Sequence, residues 1–271
     1  MKKNIFLLSY PRSGNTFTRY ILEYLTGMGS YGYMSNYHKK LLKNRFWKPK
    51  KSEMYSEYIY DGIERPILNR DSDSEYKIIK RHGNFADDIL EMNNLNVEDN
   101  FFILLVRNPI EVAVRHDLSG QAAFAPAIVE RCVSIHDSVD ISSCIWNCEH
   151  HTFFKNLKGF DNFNGEKKII FYEDLIQKPE VFIKELCTFL NLNEVELLNE
   201  FMSKFAHHKQ KAIEYYFGNS KTMRTDTEIK KIDRWSKDVP TLIKTKFWNN
   251  FDNNCKIISE DLLHVFNRYK I

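Results

Sequence analysis

The stretch FLLSYPRSGNTFTRYILEYLTG, residues 6–27, decides how the chain begins to fold. An apolar run stops at Ser9, a loop with Pro, Arg, Ser and Gly follows, and a helical pattern comes next. The apolar residues at helical spacing are Phe17, Tyr20, Ile21, Tyr24 and Leu25, and Gly27 stands where a C-terminal cap belongs. Because backbone N–H groups and the positive end of the helix dipole converge after such a loop, the stretch predicts an anion site, with phosphate as the usual guest.

Four short apolar runs, at residues 4–9, 76–80, 101–106 and 168–173, are continuous rather than alternating. This pattern is typical of strands that are buried on both faces of a parallel sheet. Helical patterns lie between them, and Pro179 opens another one after the last run. We therefore expect an α/β fold with a central parallel β-sheet flanked by helices, whose ligands bind beyond the carboxyl ends of the strands.

Composition limits the partners of this chain. The 271 residues are interpreted as a single domain, 1–271, with residues 28–75 as a lid or acceptor-binding excursion. The net charge is only +3, and the sequence lacks the dense Lys/Arg stripe of a nucleic-acid binder; a small polyanionic ligand suits this charge.

Five cysteines without framework spacing favour free thiols in a reducing compartment, and no apolar run approaches the roughly 18 residues of a membrane span. We expect a cytoplasmic protein that binds neither nucleic acid nor membrane, as a monomer or a homodimer.

The loop itself is not a nucleotide P-loop of the GxxxxGK[ST] type, because no earlier glycine precedes Gly14 at the required offset and Asn15 replaces the lysine. Arg12 instead precedes the Ser-Gly pair, and Asn15 and Thr16 offer side-chain hydrogen bonds at the helix start. The sequence YPRSGNTFTRYILE resembles the 5′-phosphosulfate loop of the sulfotransferases that use 3′-phosphoadenosine 5′-phosphosulfate (PAPS). That resemblance implies that Arg12, Ser13, Gly14, Asn15, Thr16 and Phe17 bind the co-substrate.

Further segments resemble this family in the expected order. FFILLVRNPIEVAVRHD (101–117) is similar to the 3′-phosphate segment, which implies that Arg107 binds the 3′-phosphate. Arg115 stands where the family usually has a serine, and it is retained as a cofactor-binding candidate. IIFYEDLIQKP (169–179) is similar to the segment whose tyrosine contacts the adenine, here Tyr172.

Two more segments complete the resemblance. YKIIKRHGNF (76–85) is similar to the Lys-x-His segment of the family, which implies that Lys80 stabilises charge and that His82 is the general base. The basic C-terminal loop of the family is poorly kept, and Arg224, Lys230 and Lys231 are its candidates for the 3′-phosphate.

Together these motifs imply a P-loop NTPase-like three-layer sandwich and a sulfotransferase. It would move the sulfuryl group of PAPS to a hydroxyl or amine of a small-molecule acceptor by in-line displacement, without a metal. Adenosine 3′,5′-bisphosphate (PAP) would be the product, with His82, Lys80 and Arg12 as catalytic residues. Asp87 and Asp88 favour a cationic acceptor, although solvated charges at a helix start explain them equally well.

Alternatives stay open at this point. A P-loop-like kinase or phosphotransferase would need a Walker lysine and a Mg²⁺-binding Asp that the sequence does not clearly display, and a non-catalytic nucleotide-binding protein could keep the fold. Arg107 could merely pair with a carboxylate at a helix start, and Tyr172 could be a core residue. Six other histidines are interpreted as surface residues: His116, His136, His150, His151, His207 and His208.

Overall fold

The structure is a computed structural model that describes residues 3–10, 13–27, 30–32, 76–81, 100–112, 152–217, 236, 239 and 241–270. Five strands lie in these ranges. They are β1 (Lys3–Ser9), β2 (Ser30–Gly32), β3 (Tyr76–Arg81), β4 (Asn100–Val106) and β5 (Glu166–Phe171). They pair in the order β2-β3-β1-β4-β5, and every pairing is parallel. The predicted α/β class with a parallel sheet is therefore confirmed.

Strands β1 and β4 bury both of their faces. Phe6 and Leu8 of β1 point into one hydrophobic cluster, and Ile5 and Leu7 point into the other. Strand β4 alternates in the same way, as expected when successive side chains of a strand point to opposite faces of the sheet. Each face of the sheet therefore has its own apolar core, and helices cover both.

The helices fall into two layers by the cluster that they join. The bounds are α1 (Asn15–Thr26), α2 (Thr152–Asp161), α3 (Tyr172–Gln177), α4 (Pro179–Phe189), α5 (Glu194–Ser203), α6 (Phe205–Phe217), α7 (Thr241–Asn254) and α8 (Glu260–His264). Two short 3₁₀-helices, Cys255–Ile257 and Val265–Tyr269, follow α7 and α8. Helices α1, α3, α4, α5 and α6 contribute to the cluster that holds Ile5, whereas α2, α7 and α8 contribute to the cluster that holds Phe6. The three-layer architecture is confirmed.

The first helix follows its sequence pattern closely. Tyr20, Ile21, Tyr24 and Leu25 are buried, and the helix ends at Gly27, which has φ +68° in the left-handed conformation that favours glycine. Helix α4 likewise opens with Pro179 and buries Phe182, Ile183, Leu186 and Leu190. None of the helices in the described ranges is long and apolar enough to cross a membrane.

One sequence prediction about strands is wrong in part, and one strand is missed. The run at 168–173 predicts one buried strand, but β5 ends at Phe171, and Tyr172 and Glu173 open α3. Only Ile170 of β5 is buried, because β5 lies at one edge of the described sheet. No sequence pattern predicts β2, a three-residue strand inside the 28–75 excursion. The remainder of that excursion lies outside the described residues.

Candidate active site

The strand order places the candidate site at a topological switch point. Strand β1 has β3 on one side and β4 on the other, so the chain builds one half of the sheet and then crosses to build the second half. In open parallel sheets, the crevice at such a reversal, beyond the carboxyl ends of the strands, is where ligands bind. The segments after β1, β4 and β5 meet at this edge, because all the strands run in the same direction.

The loop after β1 is a tight turn into helix α1. The amide of Ser13 donates to the carbonyl of Tyr10 at 3.2 Å, and Gly14 has φ +89° at the N-cap position. Thr18 donates the first intrahelical hydrogen bond, to the Gly14 carbonyl at 3.3 Å, so the amides of Asn15, Thr16 and Phe17 precede it in the first turn. These first-turn amides and the helix dipole provide a positive end for an anion. The Ser13 amide is engaged within the turn by its hydrogen bond to Tyr10.

A buried hydrogen bond fixes where this helix starts. The side-chain amide of Asn15 donates to Ser9 Oγ at 2.7 Å, which ties the first residue of α1 back to the end of β1. The Asn15 side chain therefore bonds to the strand, and among the described residues no side-chain hydrogen bond caps the start of this helix. Tyr10, which follows the strand, is buried, and burial raises the pKa of its phenol to about 12. The phenol is neutral at pH 7 and adds no negative charge to the loop.

Tyr172 lies directly against this loop. A Cβ atom placed on Gly14 would overlap the ring atoms Cδ2 and Cε2 of Tyr172 and lie 3.1 Å from Cγ. Glycine is therefore required at position 14 for two independent reasons: its positive φ and the close approach of this ring. Residues from the ends of β1 and β5 are in contact here, although 158 positions separate them along the chain (172 minus 14).

Arg107, the residue after β4, packs on the same tyrosine. Its guanidinium carbon lies 4.3 Å from the centroid of the Tyr172 ring, a cation–π geometry. Its Nη2 lies 3.9 Å from Glu111 Oε2, one helical turn further on. Arg107 is only 5 % exposed, so a positive charge is held in the interior at the carboxyl end of β4. Both readings of Arg107 from the sequence remain, because it pairs with a carboxylate and also lies where an anion site is expected.

Two buried glutamates hold the segments around Arg107. Glu173 accepts a hydrogen bond from the Asn108 amide at 2.9 Å and one from the Tyr269 hydroxyl at 2.8 Å. Burial, followed by the charge of Glu173, raises the pKa of Tyr269 far above its ordinary value, so this tyrosine is a permanent donor. Glu111, which is fully buried, accepts from the Ser236 amide at 2.8 Å.

The local sequence explains why the β4 end folds in this way. The Asn108 side chain accepts a hydrogen bond from the Ile110 amide at 3.0 Å, and its carbonyl accepts from the Val112 amide at 3.0 Å. Asn108 therefore caps the helical residues 109–112, with Pro109 at the first position that proline favours. The Arg-Asn-Pro sequence thus ends the strand, turns the chain and starts a helix within three residues.

Comparison with known proteins agrees with this geometry. A family model for the sulfotransferase domain matches residues 2–238. The chain belongs to the sulfotransferase family. This sulfotransferase is similar in fold to the mouse sulfotransferase SULT7A1 complexed with PAP, with a TM-score of 0.55 and 15 % identity over 99 % of this chain and 88 % of the mouse chain.

A relative in sequence is a WSCD family member of Aedes aegypti. It is 26 % identical to this sulfotransferase over 211 residues, which is 76 % of this chain. The chain spans only 56 % of that relative's length.

The structure brings some of the predicted site residues of this sulfotransferase together. Gly14, Tyr172 and Arg107 form one contact series, with Asn15, Thr16 and Phe17 in the adjoining first turn of α1. The Lys80 backbone lies in β3, opposite Leu7 of β1, next to the end of that strand. The side chains of Thr16 and Lys80 are not described. The site predictions for Arg12, His82, Arg115, Arg224, Lys230 and Lys231 lie outside the described residues, as do Asp87 and Asp88.

Sequence reasoning missed Glu111, Glu173, Ser236 and Tyr269. The contact of Glu111 with Arg107 could be predicted from the sequence, because the two residues are four positions apart, the spacing that places two side chains on one helix face. The contacts of the other three residues could not be predicted, because they join segments that are distant along the chain.

His208 corrects a further expectation. The sequence predicts a surface residue here, but His208 is 6 % exposed and its ring stacks on Phe201, with 4.3 Å between the ring centroids and 3.0 Å between Nδ1 and the Tyr20 hydroxyl. Helix α6 packs against α1, so this face of α6 is interior. Burial, with the neighbouring charges of His207 and Lys204, lowers the pKa of His208 to about 4. His207 is exposed, as expected. Cys187 and Cys255 are buried and form no disulfide bond within the part of the chain that the structure describes.

Proposed function

We propose that this sulfotransferase uses PAPS and transfers its sulfuryl group to a hydroxyl or amine of a small-molecule acceptor. The observation that carries the proposal is the contact series Gly14–Tyr172–Arg107, which joins a helix N-terminus to a buried cation at the switch point. A nucleotide with phosphates at both the 5′ and 3′ positions has two anionic groups for these two elements. A single-phosphate ligand would engage only one of them.

The residues of the loop fit the 5′-phosphosulfate. Gly14 has no side chain and a positive φ, so the backbone of the loop approaches a ligand closely, and the amides of Asn15, Thr16 and Phe17 supply donors. Arg12, Ser13 and the Thr16 hydroxyl add charge and hydrogen bonds in this proposal. PAPS supplies the activated sulfuryl group; the protein residues bind and orient it.

Arg107 fits the 3′-phosphate, because it is a planar cation at the end of β4 whose position is held by Tyr172 on one side. Arg115, Arg224, Lys230 and Lys231 would complete the charge around that phosphate. Tyr172 has two roles in this proposal. Its ring packs against the loop and Arg107, and the same residue contacts the adenine.

The chemistry requires in-line attack and positive charge rather than covalent work by the protein. His82 takes a proton from the acceptor hydroxyl or amine while the acceptor atom forms a bond to sulfur. The bond between sulfur and the bridging phosphate oxygen breaks, and the electron pair stays on the 5′-phosphate of PAP. Arg12 and Lys80 stabilise the charge that develops on this leaving group. A general base of this kind increases the reaction rate by roughly 10²–10⁴-fold.

Residues 28–75 would form the acceptor side of the site within a single domain, 1–271. Asp87 and Asp88, soon after His82, are the basis for proposing a cationic acceptor. Because the chain spans about half of its Aedes aegypti relative, the acceptor of any longer protein is part of the same proposal.

Replacing Arg107 tests the assignment that separates PAPS from other nucleotides. In Arg107→Ala, PAP should bind roughly 10- to 100-fold more weakly, because a hydrogen-bonded charge contact is worth about 1.5–3 kcal/mol, whereas adenosine 5′-phosphate should change little. Isothermal titration calorimetry measures both dissociation constants.

Arg268→Ala is the matched control for this experiment. Arg268 also stacks on a ring, with its guanidinium carbon 4.0 Å from the centroid of Phe171, and it pairs with a carboxylate, Asp174, at 2.8 Å. Its loss should leave both affinities near those of the wild type. Equal weakening of the two nucleotides in Arg107→Ala would contradict the 3′-phosphate assignment.

A further inference from the structure

Glu111 lies at the centre of an arrangement that the sequence motifs do not explain. Its side chain is fully buried, and its two oxygens have different partners. Oε1 accepts from the Ser236 amide at 2.8 Å, and Oε2 lies 3.9 Å from Arg107 Nη2. One carboxylate thus contacts the candidate 3′-phosphate residue and the backbone of a segment 125 positions further along the chain.

The two distances indicate how the carboxylate is used. A charge-assisted hydrogen bond between an arginine and a carboxylate is usually about 2.7–2.9 Å long, so the contact with Arg107 is a loose ion pair and the contact with Ser236 is the close one. The Ser236 amide thus holds the carboxylate in place, and the charge of the carboxylate acts on the guanidinium across the longer distance. The Tyr172 ring meanwhile fixes the face of the same guanidinium.

We propose that Glu111 is a positioning residue for Arg107. It orients the guanidinium toward the 3′-phosphate. Its hydrogen bond to the Ser236 amide also fixes the backbone at Ser236, which follows the basic segment 224–231 in sequence, near the same arginine. The inference rests on the proposed function, because it names a residue that acts on the nucleotide only through Arg107. A purely repulsive role makes the opposite prediction, since an unused negative charge near the phosphate would weaken binding.

Glu111→Gln separates these possibilities. The glutamine oxygen can still accept from Ser236, but the charge that orients Arg107 is gone. The measured quantity is the ratio of the dissociation constant of adenosine 5′-phosphate to that of PAP, obtained by calorimetry. This ratio should fall by roughly 5- to 20-fold relative to wild type, less than in Arg107→Ala, because the guanidinium is still present but is no longer oriented. A merely structural role would lower the fraction of active protein without changing the ratio.

Glu185→Gln is the control, because Glu185 also pairs with a cation, Lys168 at 3.1 Å, but on the surface. Its ratio should equal that of the wild type. Glu111→Asp is the second variant if Glu111→Gln does not fold. It keeps the charge but is one methylene shorter, so it cannot reach Arg107 and Ser236 together, and its ratio should also fall.

Each result has a distinct meaning. A wild-type protein without preference for PAP over adenosine 5′-phosphate would overturn the proposed function and this inference with it. A wild-type preference that persists unchanged in both Glu111 variants would overturn the role of Glu111 alone. An increased preference in Glu111→Gln would also overturn it, and would show that the carboxylate opposes the phosphate.

Discussion

Replacing Gly14 by alanine should damage both the stability and the nucleotide preference of this sulfotransferase. Two costs combine in this variant. A non-glycine residue in the left-handed region, here at φ +89°, costs about 1–2 kcal/mol. The new Cβ also overlaps the Tyr172 ring, and forced displacement of a packed side chain costs about 1–3 kcal/mol. The expected loss in the free energy of unfolding is therefore about 2–5 kcal/mol, which lowers the melting temperature by about 5–15 °C for a chain of this size.

Gly27→Ala separates the two costs. Gly27 has φ +68° at the other end of α1, about 18 Å away along a helix of 12 residues, so the variant carries the backbone strain without the Tyr172 overlap. Urea denaturation of both variants should show that Gly14→Ala is the more destabilised by about 1–3 kcal/mol. Only Gly14→Ala should weaken the binding of PAP, because displacing the Tyr172 ring removes the ring that packs against Arg107.

A double-mutant cycle with Tyr172→Ala completes the test. Without the ring, the Gly14→Ala overlap disappears, so the two changes together should cost less than the sum of the single changes by about 1–3 kcal/mol. The reasoning would be refuted by equal stability of the Gly14→Ala and Gly27→Ala variants, or by costs that simply add in the double variant.

Two further predictions concern the buried polar groups. His208 has a folded pKa of about 4 and an ordinary pKa near 6.5, so the unfolded chain takes up a proton first and stability should fall by about 3 kcal/mol between pH 6.5 and pH 4. Urea denaturation of His208→Gln over this range should lack that part of the slope, and parallel curves for variant and wild type would contradict it. Tyr269→Phe removes a hydrogen bond to buried Glu173 and should cost about 1–3 kcal/mol, whereas Asp174→Asn, which weakens the exposed pair with Arg268, should cost under about 1 kcal/mol. A smaller loss in Tyr269→Phe than in Asp174→Asn, by the same assay, would contradict this.

The fold was predictable because local patterns and global architecture agree. Continuous apolar runs predicted β1 and β4 as buried strands, and the spacing after the loop predicted α1 and its glycine cap. The edge strand β5 was harder, because a strand with one unpaired edge among the described strands need not be apolar on both faces. For the same reason, the sequence pattern predicts Tyr172 as part of the strand, whereas it is the first residue of α3.

The site was only partly predictable. Short motifs indicated the loop, Arg107 and Tyr172, since each follows an apolar run at one edge of the sheet. That the Tyr172 ring touches Gly14 and supports Arg107 depends on how β1, β4 and β5 are ordered, which no local pattern contains. The burial of His208 was missed for the same reason, because it depends on α6 packing against α1.

The measurement that tests the central claim most directly is a calorimetric titration of the wild-type protein with PAP, ADP and ATP, each with and without Mg²⁺. The account predicts tight binding of PAP that does not depend on Mg²⁺, and much weaker binding of ADP and ATP. Binding of ATP only in the presence of Mg²⁺, without binding of PAP, would contradict the account and favour a kinase. Equal affinity for all three nucleotides would remove the role assigned to Arg107.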